Sequence, residues 1–84
     1  METDKYKVFL KVVECESFSR AAAELGYTQS AVSHCIYSLE QALGFRLLTR
    51  EGRKTRLTSA GQEAMPFIIK IVNSQTTLDQ WASF

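Results

Sequence analysis

Gln29, Ser30, Ser33, His34, Tyr37 and Ser38 recur at intervals of three and four, the spacing that gathers side chains on one side of a helix. All six are short or planar and carry hydrogen-bonding groups. A second set, Arg50, Arg53, Lys54 and Arg56, crowds fixed cations into a short segment further on. The first set offers a pattern of donors and acceptors; the second offers charge to an anion. Together they point to recognition of a polar, negatively charged partner. Each set also has a plainer explanation, a solvated helix face and a solubilising loop.

The overall charge of +1 hides this asymmetry. Residues 1–43 carry four basic and six acidic side chains, a net −2; residues 44–58 carry five and one, a net +4; residues 59–84 carry one and two, a net −1. Positive charge confined to one segment of a balanced chain suggests an anionic partner at that place.

Four helices and a hairpin must position these groups. Tyr6, Phe9, Leu10 and Val13 form the apolar face of a first helix ending near Glu16, with Lys5, Lys7 and Lys11 mostly outside it. Ser19 is placed to cap a short second helix over 20–25, with Phe18 packing back from just before the cap. Ala22 and Ala23 let a neighbouring helix approach closely, and Gly26 supplies the left-handed backbone that stops the helix. Thr28 caps a third helix running to about Leu43, with a buried stripe of Val32, Ile36, Leu39 and Leu43 joined by Cys35, and Gly44 as its stop. Apolar and β-branched residues on both sides of Glu51-Gly52 predict two short strands, 47–50 and 55–57, with a charged tip. Thr58 then caps a fourth helix that reaches Trp81 or beyond.

Two helices joined by a short Gly-containing turn make a helix-turn-helix. The short turn forces a steep crossing and pushes the second of the pair to the surface, where it fits the major groove of double-stranded DNA. Gln29, at the helix start, is placed for a bidentate contact to adenine. The first-turn N–H groups and the Thr28 hydroxyl suit a phosphate. A two-stranded wing beside this helix would set Arg50, Arg53, Lys54 and Arg56 against backbone phosphates or a minor groove. The predicted fold is therefore mainly α with a small β-hairpin: a winged helix-turn-helix over 1–58, with the helix-turn-helix at 18–37 and the wing at 45–57, followed by a long dimerisation helix over 59–84.

Within the chain, "SFSRAAAELGYTQSAVS", "LEQALGFRLLTR" and "LTSAG" occur in the order and spacing of the helix-turn-helix, wing and linker-helix signatures of LysR-type transcriptional regulators, and the chain resembles the N-terminal part of that family. The resemblance implies sequence-specific DNA binding as a dimer, by the DNA-binding part of a bacterial-type regulator. It places Thr28, Gln29 and Ser33 where the family contacts phosphates and bases, Ser19 near a phosphate, Arg50 on the DNA backbone, and Arg53 and Lys54 at the wing tip. Ser30, His34 and Tyr37 stand where the family usually has proline, arginine and a basic residue, and Leu48 where phenylalanine is common. These departures imply an altered base preference and weaker phosphate attraction from this helix. The family also implies a C-terminal effector-sensing domain, absent from these residues, so that no cofactor is expected in the chain itself and a small-molecule effector would bind elsewhere.

From Ala64 to Val72 only Lys70 is strongly polar, so this helix is apolar around most of its circumference and needs cover on every side. Burying Met65, Phe67, Ile68, Ile69, Ile71 and Val72 contributes on the order of 9–18 kcal/mol, against roughly 4–12 kcal/mol of total stability for a domain of this size. One side can lie on the chain's own core. Met65, Phe67, Ile68, Ile71, Val72, Leu78 and Trp81 are predicted to meet the same helix of a second copy, with Phe84 extending the spacing; a missing part of a longer chain is the alternative cover. Pro66 cannot donate an N–H to the Gln62 carbonyl, which predicts a kink or loosened turn. Two-fold symmetry would then present two recognition helices to an interrupted inverted repeat.

Other classes fit less well. The longest apolar runs are far short of the roughly 18 residues of a membrane span, and "METDKYK" lacks the order of a secretion signal, so a cytoplasmic protein is expected. Cys15 and Cys35 have no CxxC spacing and are expected as reduced thiols acting as small hydrophobes. There is no Gly-rich phosphate loop and no HExxH, Ser33 and His34 are sequence neighbours, and Cys15, Cys35 and His34 lack a metal-site spacing; no enzyme is expected. A winged-helix module that docks protein through its long helix is the remaining rival.

Overall fold

The computed structural model describes residues 3–83. Its elements run α1 (Thr3–Cys15), α2 (Phe18–Leu25), α3 (Gln29–Leu43), β1 (Leu48–Glu51), β2 (Lys54–Leu57) and α4 (Ser59–Ala82). The three N-terminal helices pack on one another, α4 lies against α1, and β2 touches both α1 and α4.

Helix α1 is the centre of this arrangement. Val8, Phe9 and Val12 are buried, while Tyr6, Leu10 and Val13 are half-buried around them. The buried stripe is thus rotated from the predicted Tyr6–Phe9–Leu10–Val13 face, because α2, α3 and α4 cover α1 from several directions. The helix closes on Glu16, whose φ of 56° is left-handed, and the Glu16 N–H donates to the Val12 carbonyl at 2.8 Å. A side chain in this region carries a penalty of roughly 1–2 kcal/mol that glycine avoids, so the surroundings must hold Glu16 there.

Helix α2 begins two residues earlier than the sequence pattern predicts. Its cap is Ser17, not Ser19: the Ser17 hydroxyl accepts from the Arg20 N–H at 3.1 Å. This places Phe18 inside the helix, where its ring packs onto the core. The close helix contact uses Ala21 and Ala22, both buried, whereas Ala23 is exposed. Gly26 closes the helix at φ 74°. Thr28 caps α3 by accepting from the Ala31 N–H at 3.1 Å, and Gly44 closes it. Val32, Ile36 and Leu39 are buried as predicted, but Leu43 is exposed, and the buried stripe continues instead through Glu40.

The hairpin pairs Leu48 with Leu57, Thr49 with Arg56, Arg50 with Thr55 and Glu51 with Lys54; β1 lies one residue later than predicted, and β2 begins one residue earlier. Leu47, predicted in the first strand, is fully buried beneath the sheet. Its carbonyl accepts from the Thr58 N–H at 2.9 Å. Thr58 caps α4 by accepting from the Gly61 N–H at 2.9 Å, and its hydroxyl donates to the Arg46 carbonyl at 2.6 Å. Gly61 is buried against the same place: a Cβ there would lie 2.3 Å from the Leu47 oxygen. The first turn of α4 is therefore locked onto the base of the wing.

Helix α4 continues through Pro66 as one 24-residue element, about 36 Å long at 1.5 Å per residue. Ile68 is 2% exposed and belongs to the core of its own protomer. It cannot serve as the dimer contact predicted for it, since α1 and the rest of the core already cover it. Met65 and Val72 are half-buried. Phe67, Ile69, Ile71, Leu78 and Trp81 are exposed, and past Val72 the helix has no buried residue. The predicted Phe84 contact lies outside the described residues.

Candidate nucleic-acid interface

The turn between Gly26 and Thr28 sets α3 so that one stripe faces the core and the other faces solvent. Gln29, Ser30, Ser33, His34 and Tyr37 are all exposed on that outer side. Ser38 is not part of it. It is half-buried at the seam with α1, where its hydroxyl accepts from Lys5 Nζ at 2.7 Å. The Thr28 hydroxyl is occupied as the cap, and the Thr28 carbonyl takes the Val32 N–H at 3.2 Å. The Gln29 and Ser30 N–H groups have no intrahelical acceptor and point out of the helix start, the arrangement that favours an anion. Ser19 is exposed near the start of α2, its hydroxyl 3.1 Å from that of Ser17.

The wing reaches this helix through a buried carboxylate that the charge pattern alone does not single out. Glu40 Oε2 accepts from the Leu47 N–H at 2.7 Å and the Leu48 N–H at 3.2 Å, and Oε1 lies 3.4 Å from Arg46 Nε. Buried charge is tolerable only with such partners. Glu40 therefore ties the start of β1 to the end of α3. Its signal in the sequence was its place: it follows Ile36 by four on a stripe that is otherwise apolar.

Directly opposed residues of an antiparallel pair share a face. Arg50 thus sides with Leu48, Thr55 and Leu57, whereas Lys54 and Arg56 side with Glu51 and Thr49. Arg50 lines a small cleft with Phe18 of α2 and Ile36 and Glu40 of α3. Arg53 is exposed at the turn, next to Gly52 at φ 64°. Neither Arg50 nor Arg53 has an acidic partner among the described residues. Lys54 and Arg56, by contrast, both meet an acidic partner. Lys54 Nζ lies 3.6 Å from Glu16 Oε1, and Arg56 donates to Glu16 Oε2 in a close ion pair.

A second polar cluster joins α1 to α2 away from this face. The Cys15 thiol donates to Glu24 Oε2 at 3.4 Å, and Lys11 Nζ lies 3.2 Å from Glu14 and 3.4 Å from Glu24. Desolvation, then the Glu24 hydrogen bond, pushes the Cys15 thiol above its ordinary value. The thiol hydrogen bond and Lys11 hold Glu24 below the usual carboxylate range. Cys15 and Cys35 are free and both half-buried against the core. Among the described residues no group of three or more His, Cys, Asp or Glu is placed to hold a metal ion. No helix there is long and apolar enough to cross a membrane.

A protruding polar helix, a glycine-closed turn before it and a basic hairpin after it define a winged helix-turn-helix. The profile described as "Bacterial regulatory helix-turn-helix protein, lysR family" matches residues 3–62, and the chain belongs to that family, one of regulatory proteins and not of enzymes. Over 74 residues it is 43% identical to the HTH-type transcriptional regulator HdfR of Salmonella typhimurium, covering 88% of this chain and 27% of that protein. Among solved structures, Corynebacterium glutamicum OxyR (C206 mutant) superimposes with a TM-score of 0.91 at 28% identity, over 96% of this chain and 26% of that one. The BenM DNA-binding domain in its benA site 1 DNA complex gives 0.87 at 31% identity, over 99% and 93%. The CbnR DNA-binding domain in its DNA complex gives 0.89 at 28% identity, over 99% and 95%. The chain spans about a quarter of the length of the curated relatives it matches.

Proposed function

We propose that this chain binds double-stranded DNA sequence-specifically, as the DNA-binding part of a bacterial-type transcriptional regulator. The observation that carries this reading is the exposed face of Gln29, Ser30, Ser33, His34 and Tyr37 on α3, flanked by Arg50 and Arg53, which have no acidic partner among the described residues. The protruding helix enters the major groove, with Gln29 and Ser33 at base edges and His34 and Tyr37 further along. The helix start at Thr28, the Ser19 hydroxyl and the wing arginines meet phosphates. Lys54 and Arg56 stand behind them, shared with Glu16.

The chain acts as a homodimer through α4, and its dyad selects an interrupted inverted repeat. Phe67, Ile71, Leu78 and Trp81 are the exposed apolar residues that a second copy would cover, with Met65 and Val72 at the seam. The site of action is the cytoplasm, where the DNA of a bacterial-type cell lies. Any small-molecule effector binds outside these residues, in the portion that the longer relatives possess.

Selection of bound sequences from a random duplex pool tests the reading; a dyad-symmetric consensus is expected, and recovery of unrelated sequences would count against it. If each protomer supplies Arg50, Arg53 and one net charge from the Glu16 group, six counterions leave, and affinity drops by about three decades between 50 and 200 mM salt.

A further inference from the structure

Glu16 touches three consecutive residues of β2. Its carbonyl accepts from the Thr55 N–H at 3.0 Å, so it closes the free edge of the strand. Its carboxylate reaches back over the same strand to Lys54 at 3.6 Å and to Arg56. The φ of 56° that ends α1 aims both groups at the wing. No other acidic side chain among the described residues lies within ion-pairing distance of the hairpin's cations past Arg46.

We infer that Glu16 is a positioning residue for the wing that also sets how much of its charge reaches DNA, an inference that rests on the DNA-binding reading above. Exposed ion pairs are individually weak. Here two of them share one carboxylate beside a backbone hydrogen bond, so the strand is held at three successive residues. Glu16, Lys54 and Arg56 carry one net positive charge in place of two. Arg50 and Arg53 therefore dominate the wing's attraction for phosphates. The pair bound to Glu16 fixes the hairpin against the end of α1 rather than adding sequence-independent affinity. Discrimination between sites improves when non-specific attraction is restrained, because non-specific binding is almost wholly electrostatic.

The test uses the whole 84-residue chain and its E16Q variant, first without DNA. Side-chain exchange of Arg56 Nη1–H, the group that meets Glu16, and amide exchange of Thr55, followed by NMR, should quicken several-fold in E16Q. Unchanged exchange at both groups overturns the clamp. Salt titrations on a random-sequence duplex then compare E16Q with the parent, alone and in a K54Q/R56Q background. E16Q should tighten binding several-fold at low salt and steepen the log–log salt slope by about 1 per bound protomer, and this gain should shrink markedly when both cations are gone. An equal gain in the two backgrounds overturns the inference, since Glu16 would then act only as a distant repelling charge. If Arg56 responds to E16Q yet the parent binds no duplex at any salt, the DNA-binding reading falls and the charge-setting role falls with it.

Discussion

The Glu40 carboxylate accepts the backbone N–H of Leu47 at 2.7 Å, within a buried space between the end of α3 and the start of the wing. A second N–H, from Leu48, reaches the same oxygen. The recognition helix and the hairpin are therefore joined by a polar contact that solvent barely reaches. Glu40→Ala should leave both N–H groups unsatisfied and cost about 2–4 kcal/mol. Urea denaturation measures this, and a midpoint within experimental scatter of the parent would refute it.

Gly61 sits where a Cβ would come within 2.3 Å of the Leu47 carbonyl oxygen. That oxygen belongs to backbone and cannot swing aside. Gly61→Ala should destabilise the fold by about 1–3 kcal/mol, as overpacked sites do, despite the better helix propensity of alanine. Thermal denaturation showing a stabilised variant would contradict the close packing of α4 on the wing.

Gln29 and Arg50 should separate specificity from affinity. Gln29→Ala removes a group suited to one base edge, so preference should relax at one position while binding to random duplex stays nearly constant. Arg50→Ala should weaken binding to all sequences and lower the magnitude of the salt slope by about 1 per bound protomer. Fluorescence anisotropy on a matched set of duplexes reads both; uniform weakening by Gln29→Ala would reverse its assignment.

Ile68 and Ile71 are three residues apart on α4 yet have opposite surroundings: Ile68 is buried in the core and Ile71 is 38% exposed. Ile71→Asp should leave circular dichroism native and shift sedimentation from dimer to monomer. Ile68→Asp should unfold the protomer, because it places an unpaired carboxylate in the core. A native dimer from Ile71→Asp would move the interface off this face.

The Cys15 thiol, raised by desolvation and by Glu24, should alkylate slowly at neutral pH, since the thiolate is the reactive form. Glu24→Gln removes the negative charge and leaves only a weaker amide acceptor, so iodoacetamide modification should quicken several-fold, as the pH–rate profile shifts to lower pH. An unmoved profile would remove Glu24 as the cause. For Glu24 the sign is opposite: its depressed value contributes stability above the ordinary carboxylate range, and that contribution fades as pH falls through its lowered value.

Local chemistry explains which features could be read along the chain. Thr28, Gly26 and Gly44 bound α3 because capping and left-handed closure depend on a few adjacent residues. The same holds for Thr58 and the start of α4. The local pattern placed the α2 cap at Ser19, whereas the structure caps the helix at Ser17 with Phe18 packed on the core; that depends on contacts distant in sequence. The exposed face of α3 was legible because a helix buries one stripe and leaves the other. Ser38 left that face because Lys5, distant in sequence, reaches its hydroxyl.

Sequence alone thus determined the order of elements, the turn that exposes α3, most of the polar side chains on its exposed face and the basic segment, all of which follow from short-range periodicity and backbone preference. Only tertiary structure decided which wing cations pair with Glu16, which isoleucine of α4 is core, and that Glu40, Glu16 and Gly61 hold the parts in register. Those outcomes arise from approaches between groups far apart in the chain, where a carboxylate meets a strand or a helix meets a carbonyl. Spacing along one segment carries no record of such distances.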